Sequence, residues 1–311
     1  MATARSPLPV LIIVVLLAGL GGYLLYSLNQ MSSQDPTSTS QAIIAPAGSL
    51  HAAAVAGDVA AITAAIKAGA PTDQPTSTDS TLTNGTTPLV AAAVSSKPAA
   101  VRALLAGGAK VDARSRDGRT ALIAAAGWGD PGSVNAILEA KPAIDARSDD
   151  GWTAVMMAAT RGSAESVAAL LAQGANVEIK NKWGQTALMA AARNGDAAKV
   201  KALLDAGAAV NVADLRGQTS IALAADAGAD AEIIRLLASK AADPNIADAD
   251  GITPLMRAAD RGDAANVAAL LAAGANAAAK DKDGRTAADW AMARDDELGR
   301  AAAAAIASGG K

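Results

Sequence analysis

GQTALMAAARNGDAAKVKALLDAGA, residues 184–208, reads as two short helices and the turns that bound them. Thr186 stands two residues after Gly184, where its hydroxyl can accept an orphan backbone N–H and start a helix. Ala187 to Asn194 carries no breaker. Gly195-Asp196 then ends that helix and caps a second. The second helix carries Val200, Leu203 and Leu204, an i, i+3, i+4 apolar face. Gly207 closes it, at a position where a left-handed backbone is expected.

The same signals recur along the chain. The leading glycine reappears as Gly85, Gly118, Gly151, Gly217, Gly251 and Gly284, so that the seven are spaced by 33, 33, 33, 33, 34 and 33 residues. The capping threonine reappears as Thr87, Thr120, Thr153, Thr219, Thr253 and Thr286, with Pro88 and Pro254 at the first helical position, where proline is tolerated. Gly57-Asp58, Gly129-Asp130 and Gly262-Asp263 repeat the mid-unit turn, and Gly162-Ser163 is a variant. The apolar triad returns as Val101/Leu104/Leu105, Val134/Ile137/Leu138, Val167/Leu170/Leu171, Ile233/Leu236/Leu237 and Val267/Leu270/Leu271. One helix pair cannot bury that face alone, so neighbouring pairs must stack.

A G-x-T-P-L-x-x-A-A start, a G-D turn, a V-x-x-L-L run and a G-A end at this period resemble the ankyrin repeat. Gly251-Ile252-Thr253-Pro254-Leu255 and Gly274-Ala275-Asn276 carry the resemblance most closely. It extends over residues 48–311. It implies an all-α fold: an ankyrin-repeat solenoid of about eight helix-turn-helix units with hairpin loops, near 48–84, 85–117, 118–150, 151–183, 184–216, 217–250, 251–283 and 284–311. The family's His after T-P-L is replaced by Val90, Ile123, Met156, Met189, Ala222 and Met256, and only His51 keeps it. The usual hydrogen-bond network of that His is therefore expected to be mostly absent. Lys141 occupies a helix-end glycine position, and one extra residue is expected in the 240–251 junction. The junction from Pro71 to Asn84 is longer and should project as a tongue. In the last unit Asp289, Arg300, Ala303 and Ala304 fit an exposed cap.

Leu8 to Tyr26 is an uncharged, apolar run, long enough at 1.5 Å per residue to cross a hydrocarbon core of ~30 Å. The expected order is a short flank (1–7), a single transmembrane signal-anchor helix that meets the lipid bilayer (8–28), a flexible Ser/Thr-rich linker (29–47) and the repeats (48–311). Arg5 precedes the run, and no Lys or Arg follows it until Lys67. The positive-inside tendency then gives a single-pass inner-membrane protein, with a cytoplasmic N-terminus and periplasmic repeats. The alternative is a secreted ankyrin effector, released by cleavage of this segment.

Composition narrows the chemistry. There is no Cys and one His, and the net charge of -3 offers no basic stripe for nucleic acid. Gly127-Trp128-Gly129-Asp130-Pro131-Gly132 matches a dinucleotide fingerprint literally, but it follows an Ala-rich helix rather than a strand. Asp248-Ala249-Asp250-Gly251 and Asp281-Lys282-Asp283-Gly284 resemble fragments of a calcium loop without its closing Glu. No cofactor, metal, small-molecule substrate or catalytic residue is expected. In ankyrin proteins the partner meets the hairpin tips and the ends of the first helices. By that register the candidate protein-binding residues are Arg116, Arg119, Trp128, Asp149, Asp150, Trp152, Arg161, Lys182, Trp183, Gln185, Arg193 and Asn194. Three of the four Trp fall in three successive units, and Trp and Arg are enriched in binding hot spots. Stacking should merge those Trp into one patch. The expected function is a non-catalytic module that scaffolds, inhibits or stabilises an unidentified protein partner.

Overall fold

A computed structural model of the chain describes residues 49–75 and 85–309. The apolar run and the linker expected over 8–47, and most of the tongue, lie outside the described residues. Among those described, no helix is long and apolar enough to cross a membrane.

The described residues form sixteen helices and no strand. They come in pairs: α1 (Leu50–Ala56) with α2 (Val59–Lys67), α3 (Pro88–Val94) with α4 (Pro98–Ala106), and α5 (Ala121–Trp128) with α6 (Pro131–Leu138). Next come α7 (Ala154–Thr160) with α8 (Ala164–Ala172), α9 (Ala187–Asn194) with α10 (Ala197–Asp205), and α11 (Ser220–Ala227) with α12 (Ala231–Ser239). The last pairs are α13 (Pro254–Arg261) with α14 (Ala264–Ala272) and α15 (Ala287–Met292) with α16 (Glu297–Gly309). Each first helix packs on the first helices of its neighbours, and each second helix on the neighbouring second helices.

The caps follow the sequence. Thr87, Thr120, Thr153, Thr186 and Thr253 accept the N–H three residues on at 3.3–3.4 Å. Asp58, Asp130, Ser163, Asp196 and Asp263 do the same for the second helices. The first helices of the internal units are the most buried, while those of the two end units, α1 and α15, bury one side only. In α5, every residue from Ala121 to Gly127 is buried, because that helix sits between two other first helices and against its own partner. Ala has the bulk that such close approach allows and the best helix propensity. The second helices bury one stripe only, as with Val200 and Leu203 in α10.

Three details differ from the sequence reading. The extra residue is not in the 240–251 junction. It is Ala229, in the turn between Gly228, which ends α11, and Asp230, which caps α12. The insertion rotates the buried stripe of α12 by one position. Ile234 and Leu237 are fully buried, while Leu236 of the expected triad is only partly so. The network lost with the family's His is partly replaced, since the Sδ of Met189 and of Met256 lies 3.4 Å from the N–H of Thr186 and Thr253. A thioether accepts weakly, but it closes the same box. Finally, a ladder between units escaped the sequence reading. Side-chain oxygens of Asp73, Asp112, Asp145, Glu178, Asn211 and Asn245 accept backbone N–H groups of the next unit at 2.7–3.0 Å. Each stands four residues after the left-handed residue that ends a second helix, a register signal present in the sequence. Lys141 and Ala241 hold that left-handed position without being glycine, at φ 53 and 62.

His51 is buried and its Nε2–H donates to the Thr86 carbonyl at 2.8 Å, tying the first unit to the second. Burial pushes its pKa below the ordinary 6.5, against the opposing pull of that hydrogen bond. The unfolded chain therefore takes up the proton first as pH falls. The stability due to the neutral ring is complete above pH 6.5 and is lost as pH drops through the folded pKa. The wild-type melting temperature should fall between pH 7 and pH 5 more than that of His51→Gln. Parallel curves by calorimetry would remove His51 as the cause.

Candidate functional site

Between helix pairs the chain turns out in hairpins, which stand side by side in a continuous row. Asp149, Lys182, Leu215, Ala249 and Lys282 donate N–H to the carbonyls of Asp117, Asp150, Trp183, Arg216 and Asp250, at 2.9–3.2 Å. Each hairpin is thus bonded to the one before it, main chain to main chain. The row leaves little room for a side chain at Gly151, Gly184, Gly217 and Gly251, each of which faces the backbone of the next hairpin, whereas Gly284 has nothing within 4 Å of a Cβ. Gly184 sits at φ 77, and a Cβ there would lie 3.0 Å from the backbone nitrogen of Leu215. Each turn is closed from inside by Ser115, Ser148, Asn181, Asp214, Asp248 or Asp281. All six stand three residues before the repeating glycine, so this polar column was available in the sequence although it was not read there.

The structure divides the expected binding residues into three groups. Trp152 and Trp183 form a pair, with ring centroids 6.2 Å apart and planes tilted by 54°. Trp183 is at a hairpin tip, its own N–H held by Asn181 and its carbonyl by the next hairpin. Leu215 follows in that next hairpin and is 76% exposed, which extends the apolar tip by one unit. Sequence reasoning passed over Leu215 because a single Leu among turn residues carries no periodic signal.

Trp128 lies elsewhere, at the end of α5, and is 36% exposed. Two guanidiniums lie over its ring, Arg119 at 4.7 Å and Arg161 at 5.3 Å from the centroid. The expected single patch is thus resolved into a Trp152–Trp183 contact and an Arg-clad Trp128. The reason is register: Trp128 ends a first helix, whereas Trp152 and Trp183 flank hairpin glycines.

The polar members have mixed roles. Arg119 also pairs with Asp117 at 3.1 Å. Asp149 pairs with Arg114, and Asp150 with Lys182, both at 3.2 Å between exposed groups. Such pairs are screened by water and hold little of the stack together. Gln185 accepts from Asn181, and Asn194 donates to the Thr160 carbonyl at 2.8 Å, bridging two units. Arg116 and Arg193 are exposed. The literal dinucleotide match forms the turn between α5 and α6, and among the described residues no cluster of metal-ligating side chains occurs.

The ankyrin-repeat family model matches residues 50–148, 132–214 and 221–301. The chain belongs to the ankyrin-repeat family. No curated protein matches it in sequence. Many solved chains do match in structure. Among them is the crystal structure of the ankyrin repeat domain of Bcl-3, a member of the IkappaB family, similar at a TM-score of 0.59 with 29% sequence identity. That match covers 71% of this chain and 96% of the Bcl-3 domain. Ankyrin repeats indicate a protein–protein interaction module, and the hairpin row and the ends of the first helices vary from unit to unit.

The two tip tryptophans differ in what they support. Trp152 packs against the hydrophobic core, whereas Trp183 leans chiefly on Trp152 and its own hairpin. Trp152→Ala should cost about 1–2 kcal/mol, below the ~3–5 kcal/mol of a fully buried ring, and Trp183→Ala distinctly less. Urea unfolding of the two variants checks the order, which would be reversed if Trp183 were the structural member.

Proposed function

We propose that the chain is a non-catalytic, membrane-tethered module that captures a protein partner on its hairpin tips and first-helix ends, and scaffolds, inhibits or stabilises it. One observation carries this reading. Three successive units place large aromatic and Arg side chains at positions that differ between units, while the positions that repeat are buried in the stack. An apolar centre with a charged rim suits a specific contact. Trp128→Ala with Trp183→Ala spares the core-packed Trp152. It should abolish crosslinked capture of the native partner while leaving helicity and melting near wild type. Undiminished capture would move the contact to another face.

The tether rests on the sequence. Leu8–Tyr26 has the length and apolarity of a span, and the basic charge lies on its N-terminal side. In a bacterial host with two membranes this orients the repeats toward the periplasm. Protease added to spheroplasts should digest the repeats. Their full protection would reverse the orientation, and a mature chain lacking residues 8–28 by intact mass would make it a released protein.

A further inference from the structure

Arg161 sits at the C-cap of α7, exposed, with its guanidinium over Trp128. A ring face gives a cation electrostatic attraction but accepts none of its five N–H donors in their own plane. Among the described residues, no carboxylate pairs with Arg161 or with Arg193. Arg119 lies over the same ring and is already paired with Asp117. Two like charges therefore share one tryptophan. Arg161 has its pKa lowered, chiefly by partial burial of its guanidinium and secondarily by the charge of Arg119. Trp128 and Arg161 occupy the same register in neighbouring units, ten residues after Gly118 and Gly151. Arg193 stands one unit further along, one position earlier in that register.

We propose that Trp128, Arg119, Arg161 and Arg193 form a docking site for an acidic, extended protein segment, whose carboxylates are taken by Arg161 and Arg193 while its aliphatic parts rest on Trp128. This deepens the interaction reading above and rests on it. The ring restrains the Arg161 fork from 5.3 Å while leaving it exposed, and a planar guanidinium takes a carboxylate through two parallel hydrogen bonds. A carboxylate there also relieves the repulsion between Arg161 and Arg119. A nucleic-acid strand suits the face less well. Asp117, Asp149 and Asp150 line the neighbouring hairpins, and the chain as a whole carries a net charge of -3, so a continuous polyanion meets repulsion that a few carboxylates escape.

The test uses the full chain and three fluorescein-labelled probes: an alternating Glu–Leu peptide, the same peptide with Gln for Glu, and a single-stranded oligonucleotide. Anisotropy should show the Glu peptide binding at least tenfold tighter than the other two. Arg161→Glu should weaken it at least tenfold, and Arg161→Lys severalfold, because an ammonium lacks the planar fork. Arg235→Glu, an exposed change on the second helix α12, should leave binding unchanged and controls for net charge. Circular dichroism confirms that each variant is folded. Equal binding of the Gln peptide, tighter binding of the oligonucleotide, or no effect of Arg161→Glu would overturn the acidic-segment assignment. So would failure of the Glu peptide to bind. If the native partner is still captured through Trp183 in any of these cases, the interaction reading stands and only the assignment of the partner's chemistry falls.

Discussion

Everything in this structure depends on the burial of each internal Ala-rich first helix between its counterparts in the units before and after it. Two helices of seven to nine residues, the length in all units but the last, are too short to persist alone in water. They become stable by covering one another's faces, and the interface between units supplies most of that cover. Ala sets how near the helices come, and the few large residues, such as Leu122, Met156, Leu188 and Ile221, fill what remains. Polar links add register rather than bulk. The ladder of side-chain oxygens to the next unit's N–H groups and the main-chain bonds between hairpins both act at unit boundaries. They fix how far each unit is rotated on the last.

The repeat divides the residues into those committed to the stack and those free to vary. Thr186 and its equivalents, the hairpin-closing Ser, Asn and Asp residues, and the glycines at positive φ all serve the stack. What is left for recognition is the surface of the hairpins and the ends of the first helices. There the chain has placed Trp128, Trp183, Leu215 and the exposed Arg161 and Arg193. The stack makes this surface rigid, so a partner meets side chains already fixed in position, which lowers the entropic cost of binding.

Where the repeat departs from its rule, the structure shows how the departure is absorbed. Ala229 lengthens one turn, and α12 answers by burying Ile234 and Leu237 beside Ile233, leaving Leu236 only partly covered. Lys141 and Ala241 adopt the left-handed conformation that glycine holds in other units, because the neighbouring unit's packing and N–H ladder require the chain to turn there. Met189 and Met256 close a helix start that the family closes with histidine.

The sequence alone determined the helix pairs, their period, their caps and the stack, because all of these follow from local signals repeated seven times: glycine for left-handed turns, threonine and aspartate for caps, and a helical apolar stripe. It also carried the hairpin-closing column and the inter-unit ladder, as polar residues at a constant offset from glycine. It named the aromatic candidates but not their company. Only the tertiary structure decided that Trp152 meets Trp183 while Trp128 lies under Arg119 and Arg161. The physical reason is that contacts between residues one repeat apart depend on the rotation and spacing of whole units and on side-chain rotamers. No local pattern encodes these; the packed interface sets them.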